Sequence, residues 1–138
     1  MRLIIINGPN LHNIGKREPE VYGNISLDDY FNNLKTFFHN MDLSFVNSHF
    51  ESEIVSVLYD IENQVDGIIL NAGAYSHTSV AIRDAISAIS VPVVMVHISN
   101  VYARESFRNN NMIAPVCKGI ITGFGVKSYK IAIQSFVD

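Results

Sequence analysis

The sequence predicts an α/β fold with a parallel, doubly wound sheet, and two observations support this. Short apolar segments recur along the chain, and stretches with helical hydrophobic periodicity separate most of them. Short continuous apolar runs are typical of parallel strands that are buried on both faces. Their alternation with amphipathic helices favours right-handed crossovers, with helices on both sides of the sheet. We therefore expect a three-layer α/β/α sandwich.

The strands and helices can be placed in order along the chain. Strands are predicted at residues 2–7, 43–48, 66–73, 91–99 and 118–125. The first helix is predicted to start at Ser26, because Asp29 follows as in a capping box and apolar residues then recur at helical spacing as far as Met41. Further helices are predicted at about 51–63, 78–89 and 126–136. The simplest strand order for this succession is 2-1-3-4-5, as in flavodoxin-like folds.

Length and composition indicate one domain with a small-molecule partner. The chain has 138 residues, of which 48% are hydrophobic and 17% are charged, so residues 1–138 can form a single domain with its own core. A net charge of −3 argues against nucleic acid or an anionic membrane as a partner. A single cysteine, Cys117, excludes an internal disulfide, and the apolar run in the N-terminal "MRLIIINGPN" is expected to be too short for a signal peptide or a membrane-spanning helix. We expect a cytoplasmic protein.

Polar residues gather where the predicted strands end, which is where ligands bind in such sheets. The segments concerned are "NGPN", "NAGAYSHTS", "HISNVYARESFR" and "GFG". The connection from Asn7 to Asn24 is long for a turn between a strand and a helix, and connections of that length often form binding loops or lids. It contains Arg17 and Tyr22, and we predict an active-site lid at about 16–24.

Several of these residues also have a purely structural interpretation. Asn71 and Gly73 fit an ordinary turn, His77 could cap the helix that begins near Thr78, and Asp84 could be a solvated surface charge. His97 is harder to explain in this way, because it ends an apolar strand, where a polar side chain needs a partner or a role.

The remaining candidate residues favour a small anionic ligand and give no sequence motif for a metal or a nucleotide. Arg104 and Arg108 are four residues apart and share a face if their segment is helical; with no competing acidic cluster nearby, they suit an anionic, hydroxylated ligand. Cys117 reads as a small buried apolar residue rather than a nucleophile. The five histidines lack a metal-ligand spacing, and no phosphate-binding glycine loop follows the first strand.

Five separated blocks of the sequence closely resemble the type II 3-dehydroquinate dehydratases. They are "NGPNL", "G-K-REPEVYG", "NAGAYSHTS-A-RDA", "VHISNVYARESFR" and "GFG", in order from Arg2 to about Phe136. The resemblance implies a flavodoxin-like hydro-lyase that interconverts 3-dehydroquinate and 3-dehydroshikimate in the shikimate or quinate pathway. It implies no metal and no organic cofactor, and a homododecamer built from trimers.

The resemblance also implies catalytic roles. Tyr22 would be the base that removes a proton from the carbon beside the substrate ketone, and Arg17 would make it basic. Asn10 would hold a water that stabilises the enolate, and His97 would be the general acid.

A second set of residues is implied to bind the substrate. The backbone N–H groups of Ile98 and Ser99 would hold its carboxylate, and the side chains of Asn71, His77 and Arg108 its hydroxyl groups. Asp84 would reach the site of a neighbouring subunit. Arg104 matches a family arginine for which we expect only structural support.

The sequence departs from the family beside the expected acid. Met95 stands where most members carry glutamate, two residues before the histidine and on the same face of the strand. We therefore expect His97 to be less basic here or to use a substitute carboxylate. Two other functions stay open: a catalytically weakened relative that acts as an oligomeric binding or scaffold protein, and a nucleotide- or flavin-binding module of the same fold.

Overall fold

The computed structural model describes residues 1–11 and 24–137, and the expected lid at about 16–24 lies almost wholly outside them. The strands are β1 (Arg2–Asn7), β2 (Asp42–Asn47), β3 (Gly67–Asn71), β4 (Val93–His97) and β5 (Gly119–Thr122). The α-helices are α1 (Leu27–Phe37), α2 (Glu51–Asp60), α3 (Val80–Ala88) and α4 (Lys127–Gln134). Short 3-10 helices lie at Gly73–His77, Val101–Ala103, Ser106–Asn109 and Ala114–Val116.

The strands form one parallel sheet in the order β2-β1-β3-β4-β5. The predicted fold class and strand order are therefore confirmed. Asn7 is aligned with Asn47 on one side and with Asn71 on the other, so three asparagines stand in a row where three strands end. The expected convergence of polar residues at this edge follows directly from the register.

The continuous apolar runs exist because both faces of the sheet are covered. In β1, Leu3 and Ile5 point into a core with α1 and α4, whereas Ile4 and Ile6 point into a second core with α2 and α3. All four side chains are buried. Alternate residues of one strand thus supply two separate cores, which is the arrangement that the sequence pattern predicts.

The first helix begins as its sequence predicts. The Ser26 hydroxyl accepts a hydrogen bond from the Asp29 backbone N–H at 3.1 Å and donates one to the Asp29 carboxylate at 2.7 Å. This caps the N-terminus of α1 and satisfies one of its free amides.

The structural interpretation of His77 as a helix cap is wrong. The cap of α3 is Ser79, whose hydroxyl accepts from the Ile82 N–H at 2.9 Å. Serine is favoured at this N-cap position because its short hydroxyl can accept directly from an N–H group in the first turn of the helix. His77 instead closes the 3-10 helix that precedes α3 and is left for other contacts.

Strands β3, β4 and β5 end two or three residues earlier than predicted. Residues 73–77 form a 3-10 helix rather than a continuation of β3, and β4 ends at His97. β5 ends at Thr122 because Gly123 and Gly125 adopt φ angles of 93° and 63°, outside the extended region. The apolar run alone does not reveal these endings.

Among the described residues, no helix is long and apolar enough to cross a bilayer.

Candidate active site

An open cleft of about 660 Å³ lies at the carboxyl edge of the sheet. Four loops contribute to it: those that follow β1, β3, β4 and β5. Of the residues predicted to form the site, Asn10, Asn71, His77, His97, Ile98, Ser99 and Arg108 line this cleft. Arg17 and Tyr22 lie outside the described residues, so the cleft is seen without the segment that contains them.

Two loops of the cleft are locked together by glycines. The Gly8 N–H donates to the Asn71 carbonyl at 2.7 Å, and a Cβ at Gly8 would stand 2.6 Å from the Ala72 carbonyl oxygen. Gly73 has a φ of 58°, and a Cβ there would lie 3.0 Å from the Pro9 carbonyl oxygen. Only glycine allows the two backbones to approach so closely. The result places Asn10, itself at a φ of 67°, on the rim of the cleft.

A buried chain of hydrogen bonds holds Asn71. Its amide nitrogen donates to the Tyr129 hydroxyl at 2.8 Å, which donates to the Asn7 carbonyl oxygen at 2.7 Å, and the Asn7 amide donates to Asn47 at 2.9 Å. The Asn71 oxygen accepts from the Gly73 N–H at 3.2 Å. The turn interpretation of Asn71 is therefore correct and compatible with a site role. One N–H and one lone pair of its amide remain for a ligand.

The two predicted histidines lie side by side. The rings of His77 and His97 are nearly parallel, 13° apart, with their centroids separated by 5.9 Å. The Nδ1 atom of His77 lies 2.8 Å from the Asn110 carbonyl oxygen. Because a carbonyl can only accept, Nδ1 of His77 carries a proton.

His97 is held in its neutral form. Its side chain is only 6% exposed, and burial together with the positive charges of His77, Arg104 and Arg108 lowers its pKa from 6.5 to about 4. Met95, two residues earlier, is completely buried and contributes no charge. The structure thus agrees with the sequence-based expectation of a less basic His97. The main cause of the lowered pKa is burial of the ring.

The arginines do not stand free of acidic groups as the sequence suggested. Glu105 places its carboxylate 2.5 Å from Nε of Arg108 and 3.8 Å from Nε of Arg104. The hydrogen bond from Arg108 is the main reason why the pKa of Glu105 is lowered. The two arginines also do not share one helix, since only Arg108 lies in the 3-10 helix Ser106–Asn109. Both still line the cleft.

The remaining predicted residues divide between the cleft and the surface. Ser99 accepts from Nη1 of Arg104 at 3.4 Å through its hydroxyl, and its carbonyl accepts from the Thr122 hydroxyl at 3.0 Å. Asp84 is exposed on α3 and does not line the cleft of its own chain.

Cys117 is half-buried and burial raises the pKa of its thiol to about 12, which suits a structural residue. Within residues 1–11 and 24–137, no group of three or more His, Cys, Asp or Glu side chains could hold a metal ion.

Comparison with known proteins identifies the family. The family model described as "Dehydroquinase class II" matches residues 1–137. The chain is 50% identical over 139 aligned positions to the 3-dehydroquinate dehydratase of Exiguobacterium sp. strain AT1b, covering all of this chain and 95% of the relative. The chain belongs to the class II dehydroquinase family.

Further relatives agree with this assignment. The 3-dehydroquinate dehydratase of Bacillus licheniformis is 49% identical, with 99% of this chain and 95% of the relative covered. The crystal structure of the type II dehydroquinase from Butyrivibrio crossotus superposes with a TM-score of 0.94 at 39% identity, covering 100% of this chain and 98% of the other. The resemblance drawn from the five sequence blocks is confirmed, as is the expectation of a hydro-lyase family.

Two residues that contact side chains of the cleft escaped prediction. Tyr129 lies on the buried face of α4, where its spacing reads as core, and only the fold brings it to Asn71. Asn111 lies in an irregular segment with no periodic signal, yet its amide nitrogen is 3.3 Å from Nε2 of His97. The run of three asparagines at 109–111 was the available signal.

Proposed function

We propose that the chain is a type II 3-dehydroquinate dehydratase, which reversibly eliminates water from 3-dehydroquinate to give 3-dehydroshikimate. The observation that carries the proposal is the meeting of Asn71, His77, His97 and Arg108 in one cleft at the carboxyl edge of the sheet. The names of the relatives supply the substrate.

In the proposed reaction a base first removes the proton from the carbon beside the ketone, and an enolate forms. Tyr22 is the proposed base. A free tyrosine has a pKa near 10, so holding it as phenolate at pH 7 costs roughly 4 kcal/mol. A guanidinium about 4 Å away contributes on the order of 4 kcal/mol at an intermediate dielectric, which is the proposed role of Arg17. A water held by Asn10 is proposed to stabilise the enolate oxygen.

In the second step the enolate returns to the ketone, a new C–C double bond forms, and the bond from carbon to the leaving hydroxyl group breaks. His97 is proposed to donate the proton, so that the hydroxyl departs as water. At a pKa of about 4, roughly one His97 in a thousand is imidazolium at pH 7 in the free protein. The substrate carboxylate favours the imidazolium and raises that fraction when it binds. The proposed reaction requires neither a metal nor an organic cofactor.

The proposed substrate contacts follow from the polar groups that line the cleft. Arg108, Asn71 and His77 are proposed to bind the hydroxyl groups, and the backbone N–H groups of Ile98 and Ser99 the carboxylate. Arg104 and Arg108 give this side of the cleft a net positive charge even after their pairing with Glu105. That charge favours an anionic substrate.

The exposed position of Asp84 supports a proposed role between subunits. It lies on α3, away from the cleft of its own chain, so any contact with substrate must be made in another copy. As the family resemblance implies, we also propose that the protein assembles as a homododecamer built from trimers, with each chain forming a single catalytic domain. Its proposed location is the cytoplasm.

The test is to mix purified protein with 3-dehydroquinate and follow the ultraviolet absorbance of the conjugated enone product. We expect turnover, and we expect Tyr22→Phe to reduce it at least a thousandfold because phenylalanine cannot accept the proton. Tyr59→Phe is the matched control, since Tyr59 is exposed on α2 and remote from the cleft. Failure of the correctly assembled wild type to form product would refute the dehydratase function; full activity of Tyr22→Phe would refute the phenolate mechanism.

The low pKa of His97 also favours a second candidate, a weakened relative that binds the substrate without processing it. The two are separated by calorimetry in the same samples. Heat of binding for 3-dehydroquinate without formation of the enone would identify the binding protein.

A further inference from the structure

Asn111 lies directly against the two residues that distinguish this site. Its amide nitrogen is 3.3 Å from the Met95 sulfur and 3.3 Å from Nε2 of His97. Met95 and His97 project from the same face of β4, so a single amide spans both. We propose that Asn111 is a positioning residue, which fixes the ring nitrogen of His97 that carries the proton. The catalytic meaning of this rests on the proposed role of His97 as the acid.

The orientation of the Asn111 amide is determined by its other end. Its oxygen accepts from the backbone N–H groups of Ile113 at 3.0 Å and of Ala114 at 2.9 Å. Backbone N–H groups can only donate, so the atom that faces them must be the oxygen. The nitrogen therefore faces Met95 and His97, and a flipped amide would lose both backbone bonds.

The segment around Asn111 is itself anchored, so the amide cannot easily move away. The Asn110 carbonyl accepts from His77, and the Met112 N–H donates to the Ser76 carbonyl at 2.8 Å. The Met112 carbonyl accepts from Nη1 of Arg83 at 2.6 Å. Residues on both sides of Asn111 are thus tied to the 3-10 helix Gly73–His77 and to α3.

The consequence for His97 follows from hydrogen-bond chemistry. An amide nitrogen has no lone pair to offer, so Nε2 of His97 must be the acceptor and carries no proton. The single proton of the neutral ring then lies on Nδ1, and Nδ1 is the atom left to donate to a ligand. A glutamate at position 95 would act in the opposite sense, because a carboxylate accepts from the ring and stabilises its charged form.

The charged groups around His97 reinforce this state. His77 stacks against it, and Arg104 and Arg108 lie on the loop that follows β4; all three disfavour a positive ring. Glu105 is the acidic group in this loop, and its carboxylate is engaged by Arg108 and lies near Arg104. Met95 adds only a neutral thioether. Asn111 is therefore the group that selects the tautomer, while burial and the cations keep the ring neutral.

The sharpest variant is Asn111→Asp, which keeps the shape of the side chain and the oxygen that accepts from Ile113 and Ala114. It replaces the donor facing His97 with a carboxylate oxygen. We expect His97 to place a proton on Nε2 and its titration midpoint to rise by about one to three pH units. Asn109→Asp adds the same charge two residues away at an exposed position and is expected to leave the midpoint within about 0.3 pH units, because solvent screens it.

The readout is magic-angle-spinning NMR on sedimented, assembled protein labelled with ¹⁵N only in its histidines. It distinguishes protonated from bare ring nitrogens, and the signals of His97 are assigned by their loss in His97→Gln. The wild type at pH 7 should show a bare Nε2 and a protonated Nδ1 at His97. A protonated Nε2 in the wild type would overturn the proposal whether or not the aspartate variant folds, and so would an unchanged His97 midpoint in a folded Asn111→Asp.

The enone assay on the same samples separates this inference from the proposed function. If the spectra agree but no sample turns over 3-dehydroquinate, Asn111 positions His97 and the dehydratase function is wrong. If product forms while Nε2 of wild-type His97 is protonated, the function stands and the positioning role is wrong.

Discussion

Tyr129 shows how a buried hydroxyl can hold a residue of the cleft in place. It is completely buried, accepts from Asn71 and donates to Asn7, so it joins the ends of β3 and β1 to α4. Burial raises the pKa of its phenol, the hydrogen bond from Asn71 opposing that rise, so the hydroxyl keeps its proton and stays a donor to Asn7 at neutral pH. The position of Asn71 in the cleft therefore depends on a residue in the last helix.

Removing this hydroxyl tests the buried chain. Tyr129→Phe keeps the ring but leaves the Asn71 N–H and the Asn7 oxygen without their partner, so we expect stability to fall by about 1–3 kcal/mol. We also expect KM for 3-dehydroquinate to rise several-fold, because Asn71 loses a contact that orients it. Urea unfolding at fixed protein concentration measures the first effect and steady-state kinetics the second.

The control for that variant is Tyr59→Phe, whose ring is half exposed on α2. Its unfolding midpoint should match the wild type within error. Equal midpoints for Tyr129→Phe and the wild type would show that the buried chain contributes nothing to stability.

At the scale of single residues, the sequence reveals polar groups at strand ends but not their partners. His97 and Asn71 stand out because each ends an apolar run. Asn111 and Tyr129 carry no such signal, since one lies in an irregular segment and the other on a helix face that reads as core. Their roles arise from contacts across 14 and 58 residues of chain, which no local pattern encodes.

At the scale of elements, the loops after β1 and β3 act as one unit. Gly8 and Gly73 let them approach to hydrogen-bonding distance, and the pair sets the positions of Asn10 and Asn71. The letters "NGPN" and "NAG" indicate turns, but only the register of β1 with β3 shows that the two turns meet. For the same reason the sequence predicted where strands begin better than where they end.

Gly8→Ala tests this unit. The new Cβ would meet backbone atoms of Ala72 at 2.6 to 3.1 Å, and backbone cannot rotate away as a side chain can. We expect a loss of about 1–3 kcal/mol in stability and a marked loss of kcat/KM, because the loops must separate. Thermal unfolding and the enone assay measure the two effects.

Gly119→Ala is the matched control, because, apart from its two chain neighbours, no described residue has an atom within 4 Å of the Cβ it would gain. Its stability should stay within about 0.5 kcal/mol of the wild type. If Gly8→Ala behaves like Gly119→Ala, the close approach of the two loops does not constrain the site.

At the scale of the whole molecule, the fold class was predictable because the sheet has two cores. Each central strand must be apolar on both faces, because each face packs against one of the two cores. Such a strand appears in the sequence as a continuous run of apolar residues, which is readily recognised. The site is a polar exception at one edge of that structure. His97 is buried there with positively charged groups around it. This arrangement disfavours a protonated His97 in the folded state and so lowers the free energy of unfolding of the whole chain at acidic pH.

This effect predicts a specific dependence of stability on pH. The pKa of His97 is about 4 in the folded chain and near 6.5 when unfolded, so between these values the unfolded state binds more protons. Stability should therefore fall as pH decreases from about 6.5 to 4, with a His97 contribution on the order of 3 kcal/mol. Because 13 acidic residues also titrate on the low side of this range, the measured quantity is the difference between wild type and His97→Gln in urea unfolding at each pH. That difference should shift in favour of His97→Gln as pH falls, since glutamine takes up no proton on unfolding. A difference that stays constant from pH 7 to 4 would mean that His97 titrates normally in the folded protein.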